Sequence, residues 1–397
     1  MGTTTNAWNN VYFAGSTYTI TLSSDWNITG TVTFGNTSLL SFSAGANLFN
    51  PTGSISTLAT GGTAGCTLPN SITIVNLTLA GLTGFNANTI NITGNLNNNY
   101  VGAGAATTLI SGTTLLNLTG TGTWNYSAGA DGIIQSNIAI NTSGTITISG
   151  TIRIQSNTIT YTAGTVITTG STLVLYSACT LNTGTMPWND ILFATNGSMA
   201  MTISSNLTLS GTFTIGGAAT VSGAFNVYCN NCTINNSTSG AISVVVTMSQ
   251  TVYVTNTLTF GFSSNGTGAN GATFYVGGNL TLGTGGGANS GTSNIFLIGT
   301  GSITGNNFLG HPLTINTGGK ITIPTSFTIV STFVYTNGIV DAKNATLTCG
   351  VAASSQTLTN MHKIAWKTVT VVSTATLSMN QFFNGLPSKR TVIQPSS

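Results

Sequence analysis

Apolar and small polar positions alternate along nearly the whole chain. TYTITL (17–22), GTVTF (30–34), GTITISGTIRI (144–154), GTFTI (211–215) and GKITI (319–323) repeat the pattern. A period of two predicts strands with one face buried. Asn-Gly, Thr-Gly, Ser-Gly and Gly-Gly pairs punctuate these runs and mark turns. No stretch combines a helical apolar stripe with capping residues, and Glu, a favoured helix former, is absent. Every apolar run is broken by Thr, Ser, Asn or Gly well short of the roughly 18 residues a membrane helix needs, so no membrane span is expected.

A longer period lies over the short one. Trp8-Asn-Asn-Val-Tyr-Phe13 matches Trp188-Asn-Asp-Ile-Leu-Phe193, and Ser24 and Gly30 match Ser205 and Gly211. Further along, ITIVNLTLAG (72–81) aligns with VYVTNTLTFG (252–261), and Gly94-Asn95-Leu96 with Gly278-Asn279-Leu280. IAINTSGTITISGTIRI (138–154) aligns with LTINTGGKITIPTSFTI (313–329), and Tyr161-Thr-Ala-Gly164 with Tyr335-Thr-Asn-Gly338. Trp366 opens a third echo with WKTVTVV. The order of the matches predicts a lead-in (1–7), two tandem β units of about 180 residues (8–187 and 188–365), and a partial third repeat (366–397) that serves as a cap or docking segment.

Two all-β architectures fit this pattern. One is a parallel β-solenoid (β-helix), with coils of about 20–25 residues stacked about 4.8 Å apart. The other is a string of antiparallel β-sandwiches. Composition favours the solenoid. Only 3% of residues are charged, with seven Lys or Arg and four Asp in 397 residues for a net charge of +3; a soluble domain carries about 25%. Stacked coils bring equivalent positions close together, so like charges in a column repel, whereas Thr and Asn form hydrogen-bonded ladders.

The same composition excludes several functions. Seven cations over such a length cannot neutralise a row of phosphates, so no nucleic-acid partner is expected. A carboxylate-pair glycosidase needs two adjacent acids. Of Asp25, Asp131, Asp190 and Asp341, the closest in sequence are Asp131 and Asp190, and even these are separated by more than two whole coils. Asp25 and Asp190 align with Asn206 and Asn10, so neither acid is repeated. His311 and His362 lie near no nucleophile elbow. The chain is expected to be no enzyme and to hold no cofactor or metal. Cys229-Asn-Asn-Cys232 has the spacing of a redox pair or half a zinc site, but no second pair completes four ligands, and it reads as two small residues in a β coil. Gly283-Thr-Gly-Gly-Gly287 lacks the helix and the Lys of a phosphate loop and reads as a turn. Sequons such as Asn27, Asn76 and Asn279 arise by composition and read as unglycosylated. With so few titratable groups, stability is expected to be nearly flat from about pH 4 to 9.

Two sets of residues stand out as surface candidates. Trp8, Trp188 and Trp366 recur at the unit starts, either to stack on sugars or to fill the core at repeat boundaries. The cations are polarised: Arg153 is the only one that precedes Lys320, and Lys343, Lys363, Lys367, Lys389 and Arg390 follow it. Lys363, Lys367, Lys389 and Arg390 form a basic end, either to dock an anionic partner or to solubilise a solenoid terminus.

The Trp-Asn-[Asn/Asp]-[Val/Ile] repeat start, the SS[Asp/Asn]-x-x-[Ile/Leu]-[Thr/Ser]-Gly-Thr segment and the uncharged β coils resemble the repetitive fibre and appendage proteins of phages and viruses, and bacterial surface adhesins. The resemblance implies a structural virion protein, surface-exposed and engaged in host attachment. It also implies assembly with itself, as a trimer, and with other virion proteins, and contact with host glycans. The N-terminus lacks a basic and apolar leader, which fits assembly inside a host cell. The alternative is a secreted adhesin or extracellular matrix filament whose subunits join head to tail at the cell surface.

Overall fold

In a computed structural model of the chain, the described residues are 8–13, 19–22, 26–27, 30–34, 39–42, 48–49, 55–62, 65–67, 72–81, 83–85, 89–100, 108–111, 114–127, 132–155, 158–193, 199–234, 246–261, 269–283, 291–306, 308–350, 355–360, 363–372, 376–380 and 393–395. Among them there is no α-helix, and the fold is a parallel β-solenoid. The chain divides into two compact units, Met1–Ile191 and Leu192–Ser397.

Parallel pairing settles the choice between the two architectures. In the first unit Thr89–Ile92 pairs in parallel with Leu115–Leu118, which pairs in parallel with Asn137–Ser149, and so on to Thr158–Ile167 and Cys179–Asn182. Antiparallel sandwiches would need hairpin pairings. Here the partners lie a full coil apart, so the sandwich alternative fails.

Alternation puts every second side chain inside, and stacking makes columns of them. Ile90, Leu116, Ile138, Ile159 and Leu181 are in register in the first unit and fully or almost fully buried. A second column there runs Leu77, Leu96, Trp124, Ile148. In the second unit Val227, Val252, Phe274, Ile295, Leu313, Phe333 and Leu358 form one inward column. Burying each such side chain is worth about 1.5–3 kcal/mol, so the columns are the main source of stability. Coil length is uneven. The coil from Val227 to Val252 is long, and the coil from Ile295 to Leu313 is shorter than the sequence suggests. Corners absorb the difference. Between Cys229 and Asn231 the register slips by one against the partner strand, Thr251–Phe260.

Corners also need hydrogen-bond partners where the ladder is interrupted. Asparagine supplies them. The Oδ1 of Asn95 accepts from the backbone N–H of Thr123 at 2.9 Å and from its hydroxyl at 3.0 Å. Asn279 does the same for Ser302, at 3.0 and 3.1 Å. Asn10 accepts from the Thr31 N–H, Asn76 from Asn95, Asn137 from Thr158, Asn206 from Asn226 and Asn270 from Thr292. The abundance of Asn therefore has a local cause: an amide one coil below stands in for a ladder carbonyl.

Candidate functional site

The outward positions of the second unit carry the most distinctive surface. Four strands there read Val227-Tyr-Cys, Val252-Tyr-Val, Phe274-Tyr-Val and Ile295-Phe-Leu. In each, the first residue points inward and the aromatic outward. Register stacks Tyr228, Tyr253, Tyr275 and Phe296 into one column. Their ring centroids are 4.9, 5.2 and 5.0 Å apart, and successive planes lie within 6°, 13° and 22° of parallel. Tyr228 and Tyr253 remain 37% and 36% exposed, a large amount for aromatic rings inside a sheet. The Asn226 amide donates to the Tyr228 hydroxyl at 3.3 Å. Such a ladder is stabilising, at about 0.5–1.5 kcal/mol per ring pair, yet it leaves ring edges and phenolic hydroxyls in solvent. The sequence alone hides it, because the steps from Tyr228 to Tyr253, to Tyr275 and to Phe296 are unequal. The available signal was an aromatic after an inward apolar residue in four successive coils.

A second outward face of the same unit carries a two-wide polar array. Thr214, Thr233, Thr259, Thr281 and Thr304 stack in register. Two residues before the first four, Thr212, Asn231, Thr257 and Asn279 form a parallel row.

The candidates read from sequence are dispersed. Trp188 is fully buried, in keeping with the core alternative. Trp366 is partly buried and meets Phe333 edge-on, at 6.4 Å and 69°. Trp8 is 49% exposed. Lys363 and Lys367 are exposed, and Lys389 and Arg390 lie outside the described residues. Lys320, counted with that polarised set, is bound to Asp341 at 2.8 Å, and its ammonium holds the Asp341 carboxyl below the usual range. Asp190 accepts from the Asn189 amide at 2.9 Å, while Asp25, Asp131 and His362 lie outside the described residues. No group of three or more His, Cys, Asp or Glu able to hold a metal occurs among the described residues.

Cys229 and Cys232 face inward on either side of the corner at Asn230 and are free thiols, almost wholly buried. The neighbouring Cys229 and burial together raise the pKa of Cys232. That holds it as a thiol and works against both nucleophilic attack and metal ligation.

His311 corrects the expectation of pH-independent stability. It is fully buried, stacked on Phe260 at 4.7 Å and 21°, and neither ring nitrogen makes a hydrogen bond. Burial pushes its pKa down to about 4, opposed in part by the nearby backbone of Ser293. The imidazole is therefore neutral in the core, and acid acts against the fold.

Comparison with protein families, with curated proteins and with solved structures returns no match.

Proposed function

We propose that the chain is a structural subunit of a virion fibre or appendage, exposed at the virion surface and engaged in host attachment. The observation that carries this reading is the nearly uncharged, repetitive outer surface of a parallel β-solenoid. Coil upon coil presents ladders of Thr, Asn and Tyr, and no Lys, Arg, Asp or Glu stands between Asp190 and Lys320. Such a surface lacks clustered acid and base groups for chemistry and is suited to display and to lateral packing against copies of itself. Its partners in this reading are two further copies, other virion proteins and host glycans.

The exposed tyrosine ladder also favours a second reading, a secreted adhesin or matrix filament at a cell surface, because a long regular face can serve adhesion without a particle. Negative-stain electron microscopy with solution mass separates the two. Rods of fixed length containing about three chains support the fibre. Filaments that lengthen with concentration support head-to-tail assembly. A compact monomer at all concentrations contradicts both.

A further inference from the structure

We infer that the tyrosine ladder of the second unit binds a neutral, extended, β-1,4-linked hexose chain lying along the stacking direction, one sugar to each coil. The inference rests on the attachment reading above and gives it a site.

The first argument is geometric. Tyr228, Tyr253, Tyr275 and Phe296 repeat every 4.9 to 5.2 Å. Because the rings stack on one another, their faces are occupied, and what solvent meets is a rail of ring edges and phenolic hydroxyls. A ligand must therefore be read by hydrogen bonds along the rail, with apolar contact from the ring edges. An extended β-1,4-linked hexose chain advances by about one coil spacing per sugar and offers hydroxyls along its edges. A curled, α-linked chain falls out of step within a few coils.

The second argument is chemical. Thr251 and Thr273 lie on the same outward face, two residues before Tyr253 and Tyr275, and stand in register with each other. They place a hydroxyl row beside the phenol row. The Tyr228 oxygen accepts from Asn226, which leaves its own proton to donate. No charged residue lies between Asp190 and Lys320, so nothing on the strip would attract an anionic polysaccharide, and a neutral one loses no ionic hydration on docking.

The third argument is that packing alone does not need tyrosine here. The next coil puts Thr314 in the same column, after Phe296, and continues to pair normally.

The test uses the full chain and three soluble probes, cellohexaose, chitohexaose and maltohexaose, followed by calorimetry and tyrosine fluorescence. At least one β-linked hexamer should bind, and maltohexaose should bind at least about tenfold more weakly. The double variant Tyr253→Thr/Tyr275→Thr should lose at least about tenfold in affinity with an unchanged circular dichroism spectrum. Should that variant misfold, Tyr253→Phe/Tyr275→Phe keeps the ring stack and removes only the hydroxyls, and it should show the same loss. Failure of both β-linked hexamers to bind overturns the inference, as does parental affinity in a folded variant. Rods without hexamer binding would sink the glycan site and leave the fibre reading standing; hexamer binding by a chain that never assembles would do the reverse.

Discussion

Tyr161 and Tyr335 make the same hydrogen bond. Each hydroxyl donates to the carbonyl of the glycine three residues on, Gly164 or Gly338, at 2.6 Å in both cases. The two glycines have φ of 114° and 115°. Around them Thr142 and Thr317 each donate to a glycine carbonyl at 2.7 Å and accept from another glycine N–H, at 2.9 and 2.8 Å. A corner has thus been kept, bond for bond, at equivalent places in the aligned sequences.

That corner tolerates only glycine. A Cβ at Gly164 would lie 2.4 Å from the Thr142 methyl and 2.9 Å from its carbonyl oxygen; at Gly338 the corresponding distances to Thr317 are 2.5 and 2.8 Å. Positive φ adds strain for any other residue. Gly164→Ala and Gly338→Ala should each destabilise by about 1–3 kcal/mol, and by similar amounts. Native-state hydrogen exchange of the flanking strands reads this, with Thr→Ser at position 142 or 317 expected to rescue part of the loss by removing the clashing methyl.

Much of the fold was legible in the sequence, for reasons these residues make plain. Period-two alternation marked the strands, and Tyr-x-x-Gly at 161–164 and 335–338 marked a real, repeated corner. Alternation could not distinguish parallel from antiparallel pairing, because both bury every second residue. The near absence of charge made that choice, since it bears on what a column of equivalent positions can tolerate. The candidate site was not legible. The tyrosine ladder depends on register across coils of unequal length, which hides it from any fixed period. The tryptophans aligned in sequence but do not share an environment: Trp188 is core, while Trp8 is half exposed.

His311 sets the acid limit of the fold. Its folded pKa of about 4 lies below the unfolded value of about 6.5. The unfolded state therefore binds the proton first, and stability that is complete above about pH 6.5 is lost as pH falls toward 4, by up to about 3 kcal/mol. The depressed carboxyl of Asp341 adds a loss at lower pH, below its ordinary value of 3.8. Melting temperature should be level from about pH 7 to 8 and drop between 6.5 and 4. His311→Leu should remove most of that drop, and an equally steep drop in the variant would show that another group carries it.

The buried cysteines should be silent. Cys229 and Cys232 lie inside the coil, and burial pushes the Cys349 thiol up to about 12. Cys179, Cys229, Cys232 and Cys349 should not react with a thiol reagent at pH 8 in the native protein and should all react in guanidinium. Rapid labelling of Cys229 or Cys232 without denaturant would mean that this corner opens.

The reading proposed above is a fibre built from parallel β-solenoid coils that carry few charges. X-ray diffraction from rods aligned by drying or flow tests it directly. A reflection at about 4.8 Å along the rod axis is expected, because strands stack in that direction. The same reflection found across the rod axis, or no axial reflection from well-aligned rods, would contradict it.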